Sequence, residues 1–157
     1  MIDLHIFTIR ILLALGLGFI IGIEREWRNK DSGIRTNSMV AMGSAIFVLI
    51  SMKVVDGNDD VTRIIGQVVT GVGFLGAGVI FRQGINVHGL NSAAIIWCSS
   101  AIGCLSAAGF VLEALVSTGL VLFTNIAILP LEKWLTKKRI KRRGSSGKIV
   151  NLKTFSK

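Results

Sequence analysis

Apolar residues in this chain neither alternate nor stripe one face; they come in five runs almost free of charge. The runs cover residues 4–23, 37–55, 64–81, 90–108 and 111–131. Each is close to the ~20 residues that a helix rising ~1.5 Å per residue needs to cross a ~30 Å hydrocarbon core. Helices that are apolar all round need lipid, or a core far larger than a short chain can build. The pattern therefore predicts an all-α polytopic membrane protein with five transmembrane helices filling residues 1–132. The lipid bilayer is its first partner.

Charge changes the picture at one end only. The chain carries +9 at mean hydropathy +0.64, but ten of its 18 Lys and Arg residues fall in residues 133–157. This segment reads as a flexible basic tail, and directly after a membrane helix such a tail meets anionic lipid rather than nucleic acid. Basic residues near helix ends are held in the cytoplasm. Arg25, Arg28, Lys30 and Arg35 mark the first connection, Arg82 the third, and the tail the C-terminus, so the expected topology is N-out and C-in. Trp27 and Trp134 follow cytoplasmic helix ends, where their rings suit the headgroup level. Pro130 stands where the fifth helix can stop. Asp3 and His5 occupy the place of the basic residues of a secretory leader, so the first run is expected to stay as a helix.

Small residues let helix backbones approach in lipid. Gly18 and Gly22 form a G-x-x-x-G step on the first helix. Gly71, Gly73, Gly76 and Gly78 crowd the third, which makes that helix the expected centre of the bundle. The same glycines spell G-x-G-x-x-G, but inside a spanning run, without the strand before it or the acidic residue after it that a nucleotide fold requires. A weak internal repeat relates residues 17–25 to 72–82. Each copy leads into a glycine-marked helix start, at Gly33 and at Gly89.

Polar candidates gather at the expected cytoplasmic ends: Glu24, Arg25, Arg28, Arg35, Thr36, Asn37, Arg82, Asn91 and Ser92. Glu24 and Arg28 stand at i,i+4. Thr36 or Asn37 is suited to cap the second helix, and Asn91 or Ser92 the fourth. As a set, ionisable groups at membrane depth are costly and mark function. Arg10, the charge deepest in the first run, is expected to snorkel outward toward Asp3 or Glu113. Asp56, Asn58 and Asp60 match the first ligand positions of a calcium loop. Val61 and Gln67 then break that pattern, leaving at most a weak divalent-cation contact. Cys98 and Cys104 are six apart on one helix and cannot pair with each other. No catalytic or metal-ligand spacing stands out, and neither an enzyme nor a cofactor is expected.

Four stretches carry a resemblance that covers most of the first ~110 residues in order. They are Gly18-Phe-Ile-Ile-Gly-Ile-Glu-Arg-Glu-Trp-Arg28, Gly33-Ile-Arg-Thr-Asn37, Gly71-Val-Gly-Phe-Leu-Gly-Ala-Gly-Val-Ile80, and Gly89-Leu-Asn-Ser-Ala-Ala94 with Trp97-Cys98. Together they resemble the MgtC/SapB family of bacterial membrane proteins. The resemblance implies an inner-membrane protein linked to growth at low Mg²⁺ and, in pathogens, to virulence and survival inside macrophages. It also implies a connection with membrane potential and with restraint of the proton-translocating ATP synthase. It places Asn91 and Cys98 at functionally important positions. Longer relatives add an ACT-like cytoplasmic domain, where this chain is expected to have only its basic tail. Ser92 stands where relatives commonly have Thr.

Two functions follow as expectations. One is a regulator that binds another membrane protein, such as the ATP synthase or a cation pump, with self-association as a further partner. The other is a transporter or channel for a cation such as Mg²⁺. Against the second, no run carries an acidic residue near its midpoint, where ion pathways usually place one.

Overall fold

A computed structural model describes residues 2–54 and 58–128, excepting the side chains of residues 58–60. Asp56, the side chains of Asn58 and Asp60, Pro130, Trp134 and the basic tail lie outside what it describes. Among the described residues, five helices are long and apolar enough to cross a membrane. They are α1 (Leu4–Trp27), α2 (Ile34–Val54), α3 (Asn58–Gly78), α4 (Leu90–Ala108) and α5 (Val111–Ile128). Residues 2–122 form one compact unit, and the described part of the second unit is the last turns of α5.

The helix ends differ from the hydropathy runs for a common reason: a helical turn can be polar. α1 continues past Ile23, so Glu24 and Arg25 are helical and not part of a loop. The Glu24–Arg28 pair, at 2.6 Å, holds that last turn. α2 starts three residues before Asn37, which takes in Arg35 and Thr36. α3 starts at Asn58, so Asn58, Asp59 and Asp60 form its first turn rather than an outer loop. Acidic residues suit a helix start, because they face the positive end of its dipole. α3 ends at Gly78, and the third connection is an antiparallel hairpin, not an irregular loop. Its strands are β1 (Phe81–Gln83) and β2 (Asn86–His88), with Phe81 opposite His88 and their rings stacked at 5.4 Å. Three-residue strands are too short to show a period in sequence.

The centre of the bundle is α1, α2 and α4, not α3. Gly18 lies against the Asn37 carbonyl, where a Cβ would stand 2.6 Å from the oxygen, and Gly22 lies on the Ile34 backbone. On α4, Gly103 sits directly on the Ala41 carbonyl. Gly71, Gly73 and Gly78 instead face open space, and on the Gly71–Gly78 stretch only Gly76 meets a neighbouring helix, at the Ala93 methyl, 3.6 Å from where its Cβ would be. α3 buries Val68 and Val72 and leaves apolar grooves on both flanks. One, of about 550 Å³, runs along α2 past Val40, Phe47 and Leu75. The other, of about 360 Å³, runs along α4 past Trp97 and Cys104.

The two halves share their helix starts. Gly33 accepts the Asn37 amide at 3.2 Å, and Gly89 accepts the Ala93 amide at 2.8 Å. The fourth residue of each new helix then packs on a glycine of the helix before it, Asn37 on Gly18 and Ala93 on Gly76. The arginines at the repeat ends do not correspond: Arg25 is buried, whereas Arg82 is exposed on the hairpin.

Arg10 does not pair with Asp3 or Glu113; it reaches the C-terminal end of α4, the outer end on the expected topology. Its Nη1 donates to the Ala107 carbonyl at 2.6 Å, and its guanidinium lies against Gly109. A helix C-terminus leaves its last carbonyls unbonded and carries negative potential, so a half-buried cation is at home there. Gly109, at φ +91°, completes the cap. Arg10→Ala is expected to lower stability by about 2 kcal/mol, the worth of a charge-assisted hydrogen bond. Thermal unfolding in detergent checks this.

Candidate functional site

The connection between α1 and α2 folds back on itself through two residues in the left-handed region, Asn29 at φ +50° and Ser32 at φ +63°. This turn points three consecutive carbonyls, those of Asp31, Ser32 and Gly33, into the bundle, where side chains from all three central helices hold them. Arg25, only 2% exposed, donates from Nη2 to the Ser92 hydroxyl at 2.8 Å and to the Asp31 carbonyl at 3.3 Å. Ser92 donates to the same carbonyl at 3.1 Å. Asn37, fully buried, donates from Nδ2 to the Ser32 carbonyl at 2.6 Å and the Gly33 carbonyl at 3.0 Å. Its Oδ1 accepts from Ser99 at 2.9 Å.

A buried polar seam continues from this junction along α4. Ser92, Ser99 and Ser106 are seven residues apart, so they share one face of the helix. Ser100 and Ser44 bond across α4 and α2 at 2.7 Å, and Ser106 bonds back to Ile102 at 2.8 Å. Hydroxyls that bond across helices hold a bundle together where hydrophobic burial supplies no driving force.

The structure thus brings together Arg25, Asn37 and Ser92, with the Glu24–Arg28 pair on the adjoining turn of α1. It does not bring in Arg35, Asn91 or Arg82, which are exposed; Arg82 donates to the Gly84 carbonyl of its own hairpin at 2.8 Å. Thr36 is half-buried, as is Cys98, which is a free thiol like the buried Cys104. The capping roles do not hold either. Thr36, Asn37, Asn91 and Ser92 all lie inside their helices, and Gly89, the residue before α4, offers no side-chain cap. The sequence reading missed Asp31, Ser44, Ser99 and Ser100. The seven-residue serine spacing in an apolar run was the available signal for Ser99. Among the described residues no group of three or more His, Cys, Asp and Glu side chains could hold a metal ion.

Comparison with known proteins supplies the wider context. The MgtC family profile matches residues 11–134. Protein MgtC of Brucella abortus (strain 2308) is 45% identical over 129 residues, which is 82% of this chain and 54% of the relative. Protein MgtC of Salmonella typhimurium (strain LT2) is 42% identical over 146 residues, 93% of this chain and 62% of the relative. Uncharacterized protein slr0014 of Synechocystis sp. is 44% identical over 127 residues, 81% of this chain and 54% of the relative. The chain therefore spans little more than half the length of these relatives. No solved structure matches it. With five membrane-spanning helices and a profile match across most of its length, the chain belongs to the MgtC family.

Proposed function

We propose that this protein is a membrane-embedded regulator, one that docks another membrane protein through α3 and serves adaptation to low Mg²⁺. Family membership supports the physiological setting. The observation that carries the docking reading is the outward face of α3. Gly66, Thr70, Gly73 and Ala77 follow one another at helical spacing and are all exposed, and Cβ atoms at Gly66 and Gly73 would meet open space. In lipid, a stripe of small residues is where a second helix approaches closely. The transporter reading has less support. The buried polar seam is closed by its own hydrogen bonds, and the described acidic side chains stand at helix ends rather than midway along a helix. The basic residues at the α1–α2 and α3–α4 connections support placing that end in the cytoplasm, and the family supports the bacterial inner membrane. The partner class is a transmembrane helix of a transport protein, such as the proton-translocating ATP synthase or a cation pump.

Gly73→Leu tests this reading. A Cβ at this exposed position meets nothing within 4 Å, and Leu is the better helix former by roughly 0.8 kcal/mol. The variant should insert and fold normally while losing the crosslinks that a photoreactive residue at Ala77 makes in native membranes. Crosslinks that survive the substitution would remove α3 as the docking face. Saturable Mg²⁺ flux into proteoliposomes holding this protein alone would favour the transporter instead.

A further inference from the structure

Arg25 lies in the last turn of α1, where a cation is favoured, yet its guanidinium reaches the start of another helix. Cations are favoured at helix C-termini, where the dipole is negative, as Arg10 illustrates on the last turn of α4. Arg25 is bonded instead to Ser92, the third residue of α4, so its charge lies beside the positive end of that helix. The first amides of α4, those of Leu90, Asn91 and Ser92, have no acceptor within the helix, and no side chain caps them. Leu90 and Asn91 are exposed, so this helix start is open to the surroundings. Gly89 before them is left-handed, at φ +83° and ψ −8°, and such a turn into a helix gathers successive amides into an anion-binding concavity.

A second, independent observation points the same way. The Arg25 Nε is buried and has no acceptor, although the side chain is 98% removed from solvent. The fields of Glu24 and Asp31 reach it, but Arg28 opposes them, and Glu24 is engaged by Arg28 at 2.6 Å. An N–H donor of a buried cation beside uncapped helix amides asks for a negatively charged acceptor.

Depth and surroundings narrow the chemistry. Trp27, two residues beyond Arg25, is 86% exposed, and such rings sit at the headgroup level of a membrane. The exposed Lys30 and Arg35 belong to the same end of the bundle and raise the local concentration of anions. We propose that the uncapped start of α4 and the Arg25 guanidinium together bind a phosphate-class oxyanion, supplied by a phospholipid headgroup or as free phosphate. This inference does not depend on the docking role of α3.

The test uses the full chain, purified and delipidated in detergent. One arm titrates inorganic phosphate by calorimetry. The other compares retention of phosphatidylglycerol and phosphatidylcholine by native mass spectrometry in phosphate-free buffer. Asn91→Asp is the decisive variant, because a carboxylate on the first turn stabilises the helix while competing for its amides. Arg25→Lys keeps the charge but removes the Nε donor, and Arg82→Gln is the control on the exposed hairpin. Binding in either arm should fall about tenfold or more in Asn91→Asp, the effect of replacing an anion at helix amides by a fixed like charge, and stay unchanged in Arg82→Gln. Phosphate binding would identify the free ion as ligand, and selective retention of phosphatidylglycerol the lipid headgroup. The proposal is overturned by an absence of binding in both arms, or by binding that a folded Asn91→Asp protein retains in full.

Discussion

A Gly103→Leu chain is expected to lose the folded bundle. Gly103 touches the Ala41 carbonyl so closely that even a Cβ would overlap it. Ala41 is fully buried and sits mid-helix, so the obstacle is backbone that cannot rotate aside. The helices would have to separate. Nothing here allows that cheaply, because Ser44 and Ser100 bond across the same interface and Ser99 reaches Asn37. Gly18 already rests on Asn37 and Ala41, so α2 has no room to retreat toward α1. Overpacking a close-packed site costs about 1–3 kcal/mol when side chains can absorb it, and more when backbone must move. About 3 kcal/mol or more is a large fraction of the stability of a small bundle. Thermal unfolding in detergent should show a broad, early transition or none, with Gly73→Leu on open α3 as the reference that keeps its midpoint. A midpoint shared by the two variants would show that the α2–α4 contact is looser than the structure has it.

That contrast also marks how far the sequence could be read. Lipid asks only for length and hydropathy, so the five spanning helices and the membrane class were legible from composition along the chain. Their ends were not. Asn58, Arg35 and Glu24 lie in polar helical turns that a hydropathy window assigns to loops, and the β-hairpin at Phe81–His88 is too short to carry a pattern. Glycine positions were legible, but their direction was not. Gly18 and Gly103 face neighbouring helices, while Gly71 and Gly73 face outward, and all four look alike in a string of apolar residues.

The candidate site divides along the same line. Arg25, Asn37 and Ser92 stood out as polar residues at helix ends, and local rules gave the helix residues among them capping roles. Those rules concern bonds within one helix. The actual partners are tertiary: carbonyls of a turn that bends back, and a serine on a helix more than fifty residues away. Arg10 shows the same limit. Its depth in the first run was evident, but its partner is the Ala107 carbonyl at the end of α4, which no spacing along α1 could reveal. What physics left readable was the type of group that must find a bond in lipid; which bond it finds depends on how the helices cross.

Asn37→Leu puts a number on that dependence. Leucine repeats asparagine's branched skeleton of side-chain heavy atoms, so the shape is kept with bulkier methyl groups while three hydrogen bonds vanish. The Gly33 carbonyl retains the Asn37 amide as a partner at 3.2 Å. The Ser32 carbonyl and the Ser99 hydroxyl lose their bonds to Asn37, and the hydroxyl is fully buried. Leaving a buried polar group unsatisfied costs about 1–3 kcal/mol, so the single variant is expected to lose roughly 3 kcal/mol. Polar pairs in membrane proteins are often worth less, about 0.6 kcal/mol on average, because the unfolded state in lipid finds other partners. Asn37 escapes that discount in part, because its side chain ties the α1–α2 turn as well as α4. The cycle with Ser99→Ala separates the two contributions. If the Ser99 bond dominates, the double variant recovers most of the loss, since removing both partners of a buried bond is nearly neutral. If the turn carbonyls dominate, Ser99→Ala alone costs little and the double variant stays as weak as Asn37→Leu. Equilibrium unfolding in mixed micelles, read on all four proteins, distinguishes these outcomes. The second would make Asn37 chiefly the residue that fixes the α1–α2 turn against the bundle, and so the residue that sets where Asp31 meets Arg25 and Ser92.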